Sequence, residues 1–182
     1  MDTRTKIRRH GYHLMSLASL GTLGVALIGL LLIGLPWLAQ WIPQAGNLPG
    51  AVESEQMQDM GTTGRWLLSL AGLLWTLALL LPLLTLRRLG AALYRHEALS
   101  RPVAGAFGWL AHSLPIYALL SFTGSVLAAI ASGIDGDDAQ QFKLEFGFGG
   151  GYVFLIACLC LYSVAHLMRL ATEAADDARS FV

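Results

Sequence analysis

The sequence predicts an all-α integral membrane protein, a four-transmembrane-helix bundle with its N and C termini cytoplasmic, built as a single membrane domain over all 182 residues. Three observations predict it. Hydrophobic residues make up 55% of the chain and charged residues only 13%, with a mean hydropathy of +0.57. That is about half the charged share of an ordinary soluble domain, so much of the surface faces something other than water. Four long apolar runs carry no charge, and the basic residues gather on one side of them. The zero net charge gives no global attraction to nucleic acid, and no direct nucleic-acid binding is expected.

The first span covers approximately 16–38, inside an uncharged stretch from Leu14 to Val52. Its apolar length exceeds the roughly 7–15 residues of a cleaved signal core, which predicts a retained signal-anchor. The second span, 66–86, is an uncharged run of 21 residues bracketed by Arg65 and Arg87-Arg88. As a helix it rises about 31 Å, close to the roughly 30 Å of a hydrocarbon core. The third span, 110–133, lies within the uncharged run Pro102–Ile134, and the fourth, 147–168, within Phe146–Met168. Helices are required because lipid cannot satisfy free backbone N–H and C=O groups. Buried helices of a soluble protein are the alternative, but these average nearer 12 residues.

Ten of the twelve Lys and Arg residues define the orientation. Arg4, Lys6, Arg8 and Arg9 precede span one; Arg87, Arg88, Arg95 and Arg101 lie between spans two and three; Arg169 and Arg179 follow span four. Arg65 and Lys143 stand on the opposite side, with Glu53, Glu55, Asp59, Asp135, Asp137, Asp138 and Glu145. Positive charge is retained inside, so the connector 87–109 joins both termini in the cytoplasm. Trp37, Trp41, Trp66 and Tyr152 anchor the outer interface and Trp109 the inner one.

Span three carries two adjacent rows of small residues, Ser121, Ser125, Ala129 and Gly133 beside Gly124, Ala128 and Ser132. Such a face lets a neighbouring backbone approach closely. Packing inside the monomer is the expected use, and a homodimer face the alternative. Pro82 and Pro115 stand near the cytoplasmic ends of spans two and three, where they would kink them. Trp75, midway along span two, needs a partner for its indole N–H within the bundle.

Span two is expected to continue as helix through Arg95, with Ser100 capping the next helix and Arg101-Pro102 opening it. Val103, Phe107 and Leu110 share one face, which would lay this start along the membrane interface. On the outer side Phe142, Leu144, Phe146 and Phe148 alternate with Lys143, Glu145 and Gly147, the period of an extended segment. Gly149-Gly150-Gly151 would then turn the chain into span four.

The chain has no nucleotide-binding glycine loop, nucleophile elbow or zinc-protease helix, and no Asp, Glu, Lys or Arg falls mid-span. No catalytic residue, cofactor or metal site is assigned, and a non-enzymatic protein is expected. His112 and His166, near the cytoplasmic ends of spans three and four, would form a pH-sensitive or metal-binding pair if they met, and are otherwise interfacial hydrogen-bonding residues. Asp135, Asp137 and Asp138 lack the ligand spacing of an EF-hand and read as a solvated loop. Cys158 and Cys160 would point about 200° apart on a helix, which suits packing rather than pairing.

The segments LRRLGAALYRHEALSRPVAGAFGWLAHSL (86–114) and ATEAADDARSFV (171–182) resemble bacterial four-span membrane proteins of the domain-of-unknown-function family 2975. The matching positions are Arg87, Arg88, Tyr94, Leu99, Ser100, Asp176, Asp177, Phe181 and Val182. The chain departs from the family with His96-Glu97-Ala98-Leu99, where members commonly have Gly-Glu before an aromatic residue. The resemblance implies a multi-pass protein of a bacterial cytoplasmic (inner) membrane. It implies no particular chemistry, and members are often encoded beside small DNA-binding regulators.

The expected function is therefore that of an interaction or regulatory protein. Its partners would be the lipid bilayer and a protein at the cytoplasmic face, touched by Arg87, Arg88, Tyr94, Arg95, Glu97, Arg101, Asp176 and Asp177. The alternative is a small transporter or channel subunit for a neutral solute, its path formed by oligomerisation and lined by Ser121, Thr123 and Ser125.

Overall fold

A computed structural model describes residues 3–38, 61–96, 100–134 and 148–180. The described residues form four α-helices: α1 (Thr3–Leu38), α2 (Thr62–Arg95), α3 (Arg101–Ile134) and α4 (Phe148–Ser180). All four are long and apolar enough to cross a membrane. At 33 to 36 residues each they run about 50–54 Å, longer than the roughly 30 Å of a hydrocarbon core. Pro36, Pro82 and Pro115 each lie inside a helix without ending it.

The helix boundaries follow local chemistry. α2 continues nine residues past Leu86 to Arg95, with a final backbone bond from His96 N to Ala92 O at 2.9 Å. Ser100 occupies the cap position of α3: its carbonyl accepts from Val103 N and Ala104 N, both at 3.0 Å. Pro102 falls in the first turn, where its missing N–H leaves nothing unsatisfied. One boundary differs from expectation. Gly149-Gly150-Gly151 forms the first turn of α4 instead of a turn leading into it, because a first turn asks its amides for no intrahelical bond. Of the alternating segment before it, Phe148 begins the helix and the rest lies outside the described residues.

The chain divides into two compact units: Met1–Leu23, Leu80–Tyr117 and Phe146–Val182, and Gly24–Leu79 with Ala118–Glu145. In the first unit Leu89, Val103 and Ala106 are buried, and Leu14 from α1 and Met168 from α4 pack against them, so all four helices meet. Phe107 and Leu110 belong to the same cluster. The face expected to lie on the membrane interface is thus turned inward, since burying it against α1, α2 and α4 removes more apolar surface than a single interface would. α1 and α2 cross where Gly11 faces Gly90: a methyl on Gly11 would stand 2.8 Å from Tyr94 N, and one on Gly90 2.8 Å from Met15 N. Thr85 Oγ1 lies 3.2 Å from Ser113 Oγ, whose own proton goes to Leu110 O at 2.7 Å, linking α2 to α3 through buried hydroxyls.

In the second unit Leu68 of α2 and Ala131 of α3 are buried together, with Leu35, Leu67 and Ala128 around them. Trp37 Nε1 donates to Ser69 Oγ at 3.2 Å, and Ser69 donates to Ile33 O at 3.0 Å, tying α2 to α1. The Trp37 and Trp66 rings meet edge to face at 5.3 Å. The indole of Trp75 donates to Ser121 O of α3 at 3.3 Å, the partner its position in the span demanded. Gly124 makes room for it: a methyl there would come within 2.8 Å of the Trp75 ring.

Candidate functional site

The first unit contains a cleft of about 700 Å³ between α3 and α4, a size that suits a small ligand. Ala104, Gly105, Gly108 and Ala165 form its small-residue floor, and Arg101, His112, Tyr162, His166, Arg169, Thr172 and Glu173 supply the polar groups. Gly105 and Gly108 have no atom within 4 Å of where a side chain would begin. These two glycines, three residues apart on α3, put no side chain into the groove.

At one end His112 stacks edge to face on Tyr162, 5.2 Å between centroids. His112 Nδ1 lies 2.8 Å from Gly108 O. A carbonyl only accepts, so Nδ1 carries the proton and the neutral ring offers Nε2 as an acceptor. At the other end Arg169 Nε donates to Glu173 Oε1 at 3.1 Å, an exposed pair four residues apart on α4. Thr172, almost fully buried, donates back to Met168 O at 2.7 Å. The cleft is thus lined by two guanidiniums, two imidazoles and one carboxylate, Glu173, which Arg169 engages.

His112 and His166, candidates as a pair, line this one cleft. No group of three or more His, Cys, Asp or Glu side chains suited to a metal ion occurs among the described residues. Arg101 was a candidate partner contact in the sequence, whereas Arg169 carried only a topological meaning. Their shared cleft has no signature short of knowing that α3 and α4 are neighbours, although Gly105 and Gly108 inside a helix were a local hint.

The remaining candidates divide. Arg87, Arg88 and Arg95 are exposed on the last turns of α2. Tyr94 is partly engaged within the molecule, with Arg8 Cζ 5.2 Å from its ring centroid and the Tyr12 ring 6.3 Å away. Asp177 is exposed on α4; Asp176 belongs to the same helix, its side chain outside the described residues. Glu97, Leu99, Phe181, Val182 and the outer acidic groups from Glu53 to Asp59 and Asp135 to Glu145 also lie outside them. In the small-residue rows only Gly124 is buried against a neighbour; Ser121, Ser125, Ala128 and Ala129 are half-buried, while Ser132 and Gly133 are exposed. Ala131, in neither row, is the fully buried small residue beside α2. Cys158 and Cys160 are free, the first half-buried and the second exposed. Arg65, read as an outer-side charge, has its side chain buried in the second unit.

Comparison of the chain with family models, with curated proteins and with solved structures finds no match to any of them.

Proposed function

We propose that the protein is a four-span membrane protein of a bacterial cytoplasmic membrane, without catalysis of its own, that acts by engaging a protein partner at the cytoplasmic face. The membrane part of this reading rests on exposure. Leu20, Leu30, Leu119, Leu159 and Leu167 are each at least 59% exposed, and none of the apolar window of α4 is buried. A monomer in water rarely shows so large an apolar surface. The charge asymmetry supports an orientation with both termini and the 87–109 connector inside.

One observation carries the partner-binding part: α2 stays helical for nine residues beyond its apolar run and displays Arg87, Arg88 and Arg95 to solvent. Mere topology determinants need no rigid scaffold, whereas a recognition surface benefits from one, since less ordering entropy is lost on binding. The resemblance to family 2975, whose connector and tail carry its distinctive residues, supports the same surfaces. The solute-path alternative gains no support from its hydroxyls, because Thr123 and Ser125 donate to Leu119 O and Ser121 O of their own helix.

The test is affinity purification of the full chain in native-like nanodiscs followed by mass analysis of the intact assembly. A stoichiometric second protein that is lost from the Arg87→Gln/Arg88→Gln/Arg95→Gln variant is the expected result. A lone monomer or pure homo-oligomer would overturn the partner reading and direct attention to solute flux.

A further inference from the structure

We propose that the seam where the start of α1 meets the end of α2 docks an acidic segment of a soluble protein, its carboxylates held by Arg8 and Arg87 and its apolar side chains by Tyr12 and Tyr94. The inference rests on the partner reading above and names the chemistry of that partner.

The glycine crossing builds the seam. Gly11 faces Gly90 at backbone contact, which brings the side chains flanking each glycine together. Tyr12 follows Gly11, and Arg8 stands one turn before Tyr12 on α1. Tyr94 stands one turn beyond Gly90, and Arg87 lies two turns before Tyr94 on the same face of α2. The contacts agree: Arg8 Cζ is 5.2 Å from the Tyr94 ring centroid, and the Tyr12 and Tyr94 rings are 6.3 Å apart. All four side chains are nevertheless exposed, Tyr12 at 53% and Tyr94 at 39%. They belong to one compact unit, and the tight crossing fixes them before anything binds, so little ordering entropy is lost on docking.

Charge, composition and reach select the occupant. Among the described residues no carboxylate pairs with Arg8, Arg87, Arg88 or Arg95. Arg88 and Arg95 repeat the two-turn spacing on the adjoining face of α2. Guanidiniums bind carboxylates through paired charge-assisted hydrogen bonds, and arginine clusters read acidic motifs in this way. Orientation in a membrane needs positive charge but no aromatic ring beside it. Here tyrosines stand among the arginines, and these two residue types carry much of the energy of protein interfaces. Reach then decides between protein and lipid. α2 rises about 12 Å from Leu86 to Tyr94, whereas the headgroup layer is about 5–8 Å thick on each face. Tyr94, Arg95 and Arg8 therefore stand beyond the lipid phosphates, where a soluble protein reaches them.

The experiment measures binding of a short fluorescent peptide of Asp, Glu and Leu to the full chain in phosphatidylcholine nanodiscs. Its control is the same peptide with Asn and Gln in place of the acids. The acidic peptide should bind, with an affinity that falls as salt rises, and the amide peptide should not. Arg8→Gln/Arg87→Gln should weaken binding at least about tenfold, and Tyr12→Ala about fivefold. Both arginines are exposed and the glycine crossing is left intact, so the double variant folds. Arg169→Gln, which removes a guanidinium that Glu173 already holds, should leave binding unchanged. Equal binding of the two peptides, or equal losses in Arg8→Gln/Arg87→Gln and Arg169→Gln, overturns the site. Displacement of the peptide by glycerophosphoglycerol, at an ionic strength where acetate displaces nothing, would reassign the seam to lipid headgroups and overturn it as well. In the affinity purification, a partner retained regardless of salt and of Arg8→Gln/Arg87→Gln would overturn the acidic chemistry while the partner reading stands. Capture of no protein, with the peptide still bound at the seam, would overturn the partner reading alone.

Discussion

At Gly11 and Gly90 the difference between hydrogen and methyl decides whether two helices can touch. A Cβ on Gly90 would meet Met15 N at 2.8 Å and Gly11 O at 3.0 Å, both backbone atoms that cannot rotate away. Gly90→Ala should therefore push α1 and α2 apart and cost about 1–3 kcal/mol, the range of overpacking a tight interface. The measurement is the unfolding midpoint in a denaturing-detergent titration. Gly105→Ala serves as its counterpart: with open space around it, it should gain about 0.5–1 kcal/mol from reduced chain entropy. Equal midpoints for the two variants would mean that the helices do not cross at these glycines. The same contrast explains what was legible at this scale. Small residues can be recognised in a sequence, but their role depends on what faces them. Gly124 met the Trp75 ring and Gly133 met nothing, although both stood in the same predicted face.

The elements themselves were largely legible, because hydropathy and capping are local. Each predicted span lies almost wholly within a helix, α2 ended at Arg95, and Ser100 opened α3, as the sequence predicted. What local chemistry does not encode is neighbourhood, since four runs of similar hydropathy are interchangeable until side chains choose between them. In both units α2 makes those choices, pairing with α1 and with α3. The α3–α4 cleft depends on neighbourhood as well, which is why His112 and His166 were legible as candidates and the cleft they share was not. The buried Thr85–Ser113 contact is the most directly testable of these links. Thr85→Ala, Ser113→Ala and the double variant should give a coupling energy of about 0.6 kcal/mol, and not above about 1.7, as interhelical hydrogen bonds in membrane bundles do. Zero coupling would show that Thr85 satisfies itself on Pro82 O, 2.9 Å away, without joining α3.

For the whole molecule, the proposed orientation depends on a difference in charge that can be moved. Ten basic residues on one side against two on the other leave little competition, and translocating arginine is opposed both by desolvation and by the membrane potential. In a Cys158→Ala/Cys160→Ala background, Glu55→Cys should react with a membrane-impermeant maleimide in intact cells, and Arg95→Cys only after permeabilisation. The arginines on the polar end of α2 should be what holds this arrangement. Replacing Arg87, Arg88 and Arg95 with glutamine while adding three lysines to the segment around Glu55 should bring a mixed or inverted labelling pattern. The four arginines and lysines ahead of span one would then act with only Arg101, Arg169 and Arg179 against the new bias. If labelling at position 55 stays external despite those changes, the basic residues that remain, Arg4, Lys6, Arg8, Arg9, Arg101, Arg169 and Arg179, suffice to set the orientation, and Arg87, Arg88 and Arg95 are released for another role. The proposed recognition of a partner would be that role, and it rests on their exposure on a helix that outlasts its apolar run. The labelling result thus bears on function as well as on topology.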